Sequence, residues 1–332
     1  MALCLAAGLL WVVFSDLLHI VIALPVAAAA ESLSFKHPTV AARFWAAACL
    51  LPAVCGAFFA AVALLLPYTG AVTPHLERIR PHLCWHSLIT SADAPWHFRL
   101  AALAACAIII AALIRFVWRL ANTYRLQVLA SGPMSDDTGP GVIVAPSESC
   151  AAFTVGLSSG AIIISQRLAR ELPQDEYAAV LAHERSHFNR SDNLQHLLLE
   201  LAATVSLPVP LGYIYFNRWR AAAETACDRA AVKATSPEAV RSLLERLQEL
   251  HMEHTAEISG GTLQPTYRSG LSPSERIARL CGPHHPTIAP PLPTVLTVEA
   301  VLVVAVVWLL RGPIVDSLYC AGDSVLSILS GG

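Results

Sequence analysis

The pentapeptide His183-Glu184-Arg185-Ser186-His187 lies in a segment that is predicted to be helical from about Pro173 to Asn189. Two histidines four residues apart project from one face of a helix, so both imidazoles can bind one Zn²⁺. The glutamate between them is placed to take a proton from the attacking water. In a chain of this composition, such an HExxH match is expected by chance about 0.02 times. We therefore predict a zinc site with His183 and His187 as ligands and Glu184 as the catalytic base.

A second pair of polar residues completes the predicted site. Glu224 and Asp228 are also four residues apart, in a predicted helix that contains Arg218–Thr235. A catalytic zinc ion has three protein ligands and one open position, and Glu224 would be the third ligand. Asp228 would accept the free ring N–H of a ligating histidine and fix its tautomer. The alternative is a solvated acidic face, which the alanine-rich character of this helix disfavours.

The remaining candidate residues of the site concern the substrate. Hydrolysis of a peptide bond develops an oxyanion, and three side chains could stabilise it: Arg220, Arg218 and His196. Three short segments are predicted as strands: Val142–Ala145, Ala152–Val155 and Ala161–Ser165. The third is a candidate edge on which an extended substrate would pair. Its residues are Ala161, Ile162, Ile163, Ile164 and Ser165.

The composition of the chain is that of a membrane protein. Of its 332 residues, 55% are hydrophobic and 14% are charged, whereas soluble domains average about 45–50% apolar and about 25% charged. The balance of 22 basic and 24 acidic residues argues against direct nucleic-acid binding. Residues 120–290 hold 31 of these 46 charges. The sequence therefore predicts membrane spans at both ends and a water-soluble block between them.

Four apolar runs are candidate spans. They are Leu3–Leu24, Phe44–Leu66, Leu100–Ile114 and Leu292–Leu310. Seven basic residues flank the spans on one side of the membrane and four on the other. This bias places the central block in the cytoplasm and both termini outside. The predicted organisation is three spans in residues 1–119 with an outer loop at 67–99, a zinc protease domain at 120–290, a fourth span at 291–311 and a short outer tail at 312–332.

A fifth apolar stretch, Leu197–Tyr215, lies between the two halves of the predicted site. A single membrane crossing here would put those halves on opposite sides of the bilayer. We therefore predict a buried helix, with a face on the bilayer as a further expectation. A shallow re-entrant segment is the alternative.

The paired HExxH and ExxCD elements resemble those of membrane zinc peptidases of the BlaR/MecR antirepressor type, and more distantly those of the HtpX and CaaX-prenyl peptidases. The matching segments are Phe153–Gly156, Leu181–His187, Arg190–Asp192 and Glu224–Asp228. The order of three spans, zinc domain and one span is similar over roughly residues 1–312. The resemblance implies a multi-pass α-helical membrane protein of the bacterial cytoplasmic membrane. Its α+β zincin-like (gluzincin) metalloprotease domain would face the cytoplasm.

The resemblance also implies a function, namely cleavage of a cytoplasmic repressor, such as a winged-helix transcriptional repressor. Members of that type carry a penicillin-binding sensor domain after the last span, whereas 21 residues follow Arg311 here, so we do not expect β-lactam sensing. Two alternatives remain: an HtpX-like quality-control peptidase for membrane proteins, and a non-proteolytic receptor with a structural zinc ion. The second is disfavoured because structural zinc sites usually have four protein ligands.

Several weaker features have two interpretations each. The outer loop contains five potential soft-metal ligands, but an interfacial segment is the favoured interpretation: His75, His82, Cys84, His86 and His97. Cys84 and Cys320 would lie on the same side of the membrane and could form a disulfide.

Three ionisable residues lie within the spans and would either couple the spans to the protease or only stabilise the packing of the spans: Asp16, His19 and Glu299. Arg276 and Arg279 are interpreted as juxtamembrane anchors.

Overall fold

The computed structural model describes residues 8, 11–12, 14–15, 17–19, 24–33, 37–65, 96–130, 141–147, 151–157, 160–206, 211–257 and 274–277. Its elements in chain order are α1 (Leu24–Leu33), α2 (Pro38–Leu65), α3 (Trp96–Ala130), β1 (Val142–Ala145), β2 (Ala152–Gly156), β3 (Gly160–Ser165), α4 (Gln166–Glu171), α5 (Gln174–Asn189), α6 (Asp192–Val205), α7 (Leu211–Ala234) and α8 (Pro237–Glu257). Residues 274–277 are helical as well.

Several predictions fall outside the described residues. These concern most of the outer loop with Cys84 and three of its histidines (His75, His82 and His86), the fourth span with Glu299, the outer tail with Cys320, and the single positions Asp16 and Arg279.

Two of the described helices are long and apolar enough to cross a membrane, judged by length and composition. The candidate segments are Pro38–Ala61 in α2, with a mean hydropathy of 1.9, and Arg99–Arg125 in α3, with a mean hydropathy of 2.6. The first overlaps most of the predicted second span, Phe44–Leu66, and the second contains the predicted third span, Leu100–Ile114. Helix α3 exposes large apolar side chains such as Ile114 and Trp118, as expected of a surface that lies against lipid. Helix α3 also continues well beyond Ile114, where the predicted third span ends.

The sheet has the strand order β1-β3-β2, with β3 parallel to β1 and antiparallel to β2. Ile162 of β3 pairs with Val142 on one side and with Thr154 on the other. The prediction that Ala161–Ser165 forms a substrate-pairing edge is therefore wrong, because both sides of β3 are already occupied. The run of β-branched residues that suggested this strand is better explained by its central, buried position. Strand β2 is an outer strand in the described sheet.

The apolar stretch Leu197–Tyr215 is divided between the end of α6 and the start of α7. Most of its described residues are buried, with Leu198 exposed, and α6 ends before α7 begins, so the stretch is not one helix. The two helices pack closely, since a Cβ atom added to Gly212 would lie only 2.9 Å from the Cα atom of Ala203. The Cys49 thiol of α2 lies 3.4 Å from the carbonyl oxygen of Leu199 and 3.5 Å from that of Gly212. Both helix ends are thus buried against a candidate membrane helix.

A second core connects the sheet to the helices that carry the polar residues. Apolar side chains of β1, β3, α5 and α8 meet in it, including Val142, Ile164, Val180 and Leu244. Helix α5 begins where the Pro173 and acidic-residue pattern predicted, and it ends at Asn189 as expected. Packing on this core and against α7 holds α5 from two sides. The HExxH segment therefore lies on a helix that is packed on two sides.

Candidate metal centre

Helices α5 and α7 bring the three predicted ligands together. The Nε2 atoms of His183 and His187 lie 3.1 Å apart. Glu224 places one carboxylate oxygen 3.7 Å from Nε2 of His183 and the other 3.8 Å from Nε2 of His187. All three side chains are buried. Two histidines four residues apart on α5 and one glutamate on the facing helix α7 thus converge on one point.

The outer nitrogen of each imidazole faces a carboxylate. Nδ1 of His183 lies 3.0 Å from Asp228, and Nδ1 of His187 lies 2.7 Å from Asp192. A carboxylate only accepts hydrogen bonds, so each Nδ1 carries the proton and donates it. When both rings are neutral, the two Nε2 atoms present lone pairs to each other, an arrangement that a cation between them stabilises.

The donor set fits a metal ion. Zinc binds histidine nitrogen and carboxylate oxygen at about 2.0–2.2 Å, so two ligand atoms of one ion are separated by at most about 4 Å. The distances of 3.1, 3.7 and 3.8 Å among the three side chains meet this limit. Two imidazoles and one carboxylate are also a donor set that zinc accepts. The residues present therefore fit one divalent cation.

Asp192 is a member of the site whose role sequence reasoning missed. It follows Ser191, whose φ of 52° is in the left-handed region and turns the chain sharply from α5 into α6. This turn brings the buried Asp192 carboxylate back to His187, and Arg190 Nε lies 3.2 Å from the same carboxylate. Cys227 is buried close to His187 and Asp192 as well. The signal available in the sequence was the Arg190–Asp192 segment, to which no chemistry was assigned.

Arg276 is the second missed residue, and its interpretation as a juxtamembrane anchor is wrong. Its side chain is only 14% exposed and reaches into the site. The guanidinium contacts both oxygens of Asp228, one of them at 3.0 Å from Nε, and Nη1 lies 3.7 Å from Glu224. Burial alone would raise the pKa of Asp228, but Arg276 and the hydrogen bond from His183 hold that pKa well below its usual range. Nothing in the spacing of the sequence indicated this contact.

Glu184 faces strand β2. The Thr154 hydroxyl donates a hydrogen bond of 2.8 Å to its carboxylate oxygen Oε2. Strand β2 is held in turn by Asn193 at the start of α6, whose side-chain amide donates to the carbonyl oxygens of Thr154 and Gly156 at 2.9 and 3.0 Å. The glutamate is thus oriented by an outer strand that is tied to the helix carrying Asp192.

The three oxyanion candidates lie in the part of the domain that packs against the apolar helices. Arg218 pairs with Glu31 of α1 at 3.2 Å and stacks over Trp45 of α2 at 5.9 Å. Arg220 lies over the ring of Phe216 at 5.8 Å. His196 packs edge-on against the same phenylalanine with ring centroids 5.0 Å apart. Their role in oxyanion stabilisation stays a prediction.

Comparison with known proteins identifies a family. The family model described as BlaR1 peptidase M56 matches residues 100–278, more than half of the chain. The match spans β1–β3, both helices of the candidate site and Arg276. Neither the curated proteins nor the solved structures include one that matches. The resemblance found in the sequence is confirmed, and the chain belongs to the BlaR1 peptidase M56 family of membrane-associated metallopeptidases.

Proposed function

We propose that this protein is a membrane-anchored zinc endopeptidase in which His183, His187 and Glu224 hold one catalytic zinc ion. The observation that carries the proposal is the pair of facing Nε2 atoms, 3.1 Å apart, with a glutamate across from them. The carboxylates behind the two imidazoles support it, because such partners fix the tautomer and raise the basicity of histidine ligands. Family membership supports the peptidase activity.

The mechanism follows from the positions of the side chains. A bound zinc ion supplies Lewis acidity to the attacking water and to the scissile carbonyl group. Glu184 takes the proton of that water and returns it to the leaving amine. The Thr154 hydroxyl orients the Glu184 carboxylate through the hydrogen bond to Oε2. Asp228 and Asp192 keep the two imidazoles in the Nδ1–H tautomer.

The physiological role that we propose is signalling by cleavage of a cytoplasmic repressor-type regulator. The likeness to the BlaR1 peptidase supports this role. The arrangement that goes with it has four spans, a gluzincin layout of the protease domain, this domain in the cytoplasm and both termini outside. The alternative is an HtpX-like peptidase acting on membrane proteins. The burial of the α6–α7 helix ends against α2 is compatible with both roles.

The decisive experiment uses the Glu184→Gln variant of the full chain in membranes. We expect it to lose proteolysis and to keep zinc binding, since Glu184 is not among the three ligands. The trapped substrate can then be identified from what copurifies with this variant. Glu245→Gln, a change at an exposed position of α8, is the matched control and should stay active. A metal-loaded Glu184→Gln protein with full activity would contradict the mechanism.

A further inference from the structure

Each histidine of the site belongs to a chain of three side chains. In the first chain, Nδ1 of His187 contacts Asp192 at 2.7 Å, and Asp192 contacts Nε of Arg190 at 3.2 Å. All three residues lie within one turn of the backbone between α5 and α6. This His–Asp–Arg chain is therefore local in the sequence.

The second chain has the same residue types, but its arginine makes two hydrogen bonds to the carboxylate and its members come from separate elements. Nδ1 of His183 contacts Asp228 at 3.0 Å, and Asp228 contacts Nε of Arg276 at 3.0 Å. The three residues come from α5, α7 and the 274–277 helix, and Arg276 is 48 residues away from Asp228 in the sequence. Nη2 of Arg276 and Nδ1 of His183 are both donors and share the same acceptor, Oδ1 of Asp228, which places them 3.3 Å apart.

The electrostatics of α7 explain why an arginine is needed there. Glu224 and Asp228 are 2% and 3% exposed and lie one helical turn apart. Two buried carboxylates this close are costly unless each has a positive partner. The proposed zinc ion would compensate Glu224, and the guanidinium compensates Asp228. Arginine suits this position because its planar fork contacts both oxygens of one carboxylate, which a lysine ammonium cannot do with the same geometry.

We propose that Arg276 is a positioning residue of the metal centre. By holding both oxygens of Asp228, it keeps His183 turned with Nε2 towards the metal. The helix at 274–277 is thereby a structural part of the zinc site. This inference rests on the proposed ligand set His183, His187 and Glu224.

The test is a double-mutant cycle on zinc affinity, measured by competition with a chromogenic chelator on the purified full-length protein in detergent. Loss of a partner behind a metal ligand typically lowers metal affinity about 10–100-fold. We expect Arg276→Gln and Asp228→Asn each to weaken zinc binding by at least about 10-fold. Because Arg276 acts through Asp228, Arg276→Gln should cost less than about 3-fold when added to Asp228→Asn. The inference would be overturned if Arg276→Gln lowered zinc affinity equally in the wild-type and Asp228→Asn proteins. It would also be overturned if Arg276→Gln left the zinc affinity unchanged.

Two further variants make the result independent of folding. Arg276→Lys keeps the positive charge and should fold, yet it should bind zinc more weakly than the wild type because it loses the fork. A wild-type affinity in this variant would also overturn the inference. Arg241→Gln is the matched control, since Arg241 forms an exposed ion pair with Glu245 and should leave zinc binding unchanged. If His183→Ala leaves the zinc affinity of the otherwise intact protein unchanged, the proposed ligand set itself fails, which is a different outcome.

Discussion

The imidazole rings of His183 and His187 meet edge to face with their centroids 4.8 Å apart and their Nε2 atoms turned towards each other. Neither ring is free to rotate, because each donates its Nδ1 proton to a buried carboxylate. The folding of α5, α6 and α7, with Arg276 of the 274–277 helix holding Asp228, therefore orients two candidate ligands. Binding of a metal ion would therefore cost little entropy for ordering the side chains. The carboxylates behind the rings should matter almost as much for metal affinity as the rings themselves.

The Asp192→Asn variant tests that expectation on the local chain. An asparagine can still occupy the space, but it removes the negative charge that makes His187 a stronger ligand. We expect the zinc dissociation constant to rise about 10–100-fold, measured by chelator competition. Asp175→Asn, at an exposed position in the first turn of α5, is the control. Equal affinities of the Asp192 and Asp175 variants would refute a role for Asp192 behind the metal.

A second prediction concerns the orientation of the proposed base. Thr154→Val keeps the shape of the side chain but removes the hydroxyl that donates to Glu184. A hydrogen bond to a charged group contributes about 1.5–3 kcal/mol, so kcat should fall by about 10-fold or more while zinc affinity is unchanged. Thr154→Ser restores the hydroxyl and should recover most of the activity. The same loss in both variants would show that only the packing of β2 matters.

The features that sequence reasoning predicted correctly have short-range causes. The i, i+4 spacing of His183 and His187 follows from helix geometry, and the Ile162–Ile164 run marks a strand through its β-branched side chains. The start of α5 follows from its proline and early acidic residues. The resemblance to the family also rests on such local segments.

The features that it missed depend on contacts distant in the sequence. The position of β3 in the sheet is decided by which strands pair with it, and alternation within one strand does not reveal its neighbours. Arg276 contacts Asp228 across 48 residues, so its local setting indicated only a basic residue near a span. Both predictions failed for the same reason. The role of each segment is decided by tertiary contacts, and the local sequence does not show these contacts.

A third prediction concerns the contact between α6 and the candidate membrane helix α3. The buried carboxylate of Glu200 pairs with Arg119 at 2.7 Å and with Arg115 at 2.9 Å. Removing one partner of a buried ion pair costs about 3–5 kcal/mol, and the cost should be smaller here because Arg115 is about half exposed. We expect Glu200→Gln to lower the thermal unfolding midpoint in detergent by several degrees.

The control for this variant is Glu171→Gln, which breaks an exposed pair with Arg167. An exposed pair of this kind contributes about 0–1 kcal/mol, so its midpoint should barely change. If both variants unfold at the same temperature, the Glu200 cluster does not stabilise the contact between α6 and α3.

The last prediction is a pH dependence that arises from His196. Burial, and then the charges of Arg119, Arg220 and Arg115, lower the pKa of this imidazole from 6.5 to about 3, and the Glu200 carboxylate at 3.9 Å does not reverse the shift. Between these two pH values the unfolded chain binds a proton that the folded chain does not, so stability must fall as the pH drops below about 6.5. The contribution changes by at most about 1.4 kcal/mol per pH unit. The thermal unfolding midpoint should therefore fall less between pH 7 and pH 5 for His196→Gln than for the wild type. An equal fall in both proteins would mean that His196 accepts its proton in the folded state as readily as in the unfolded one.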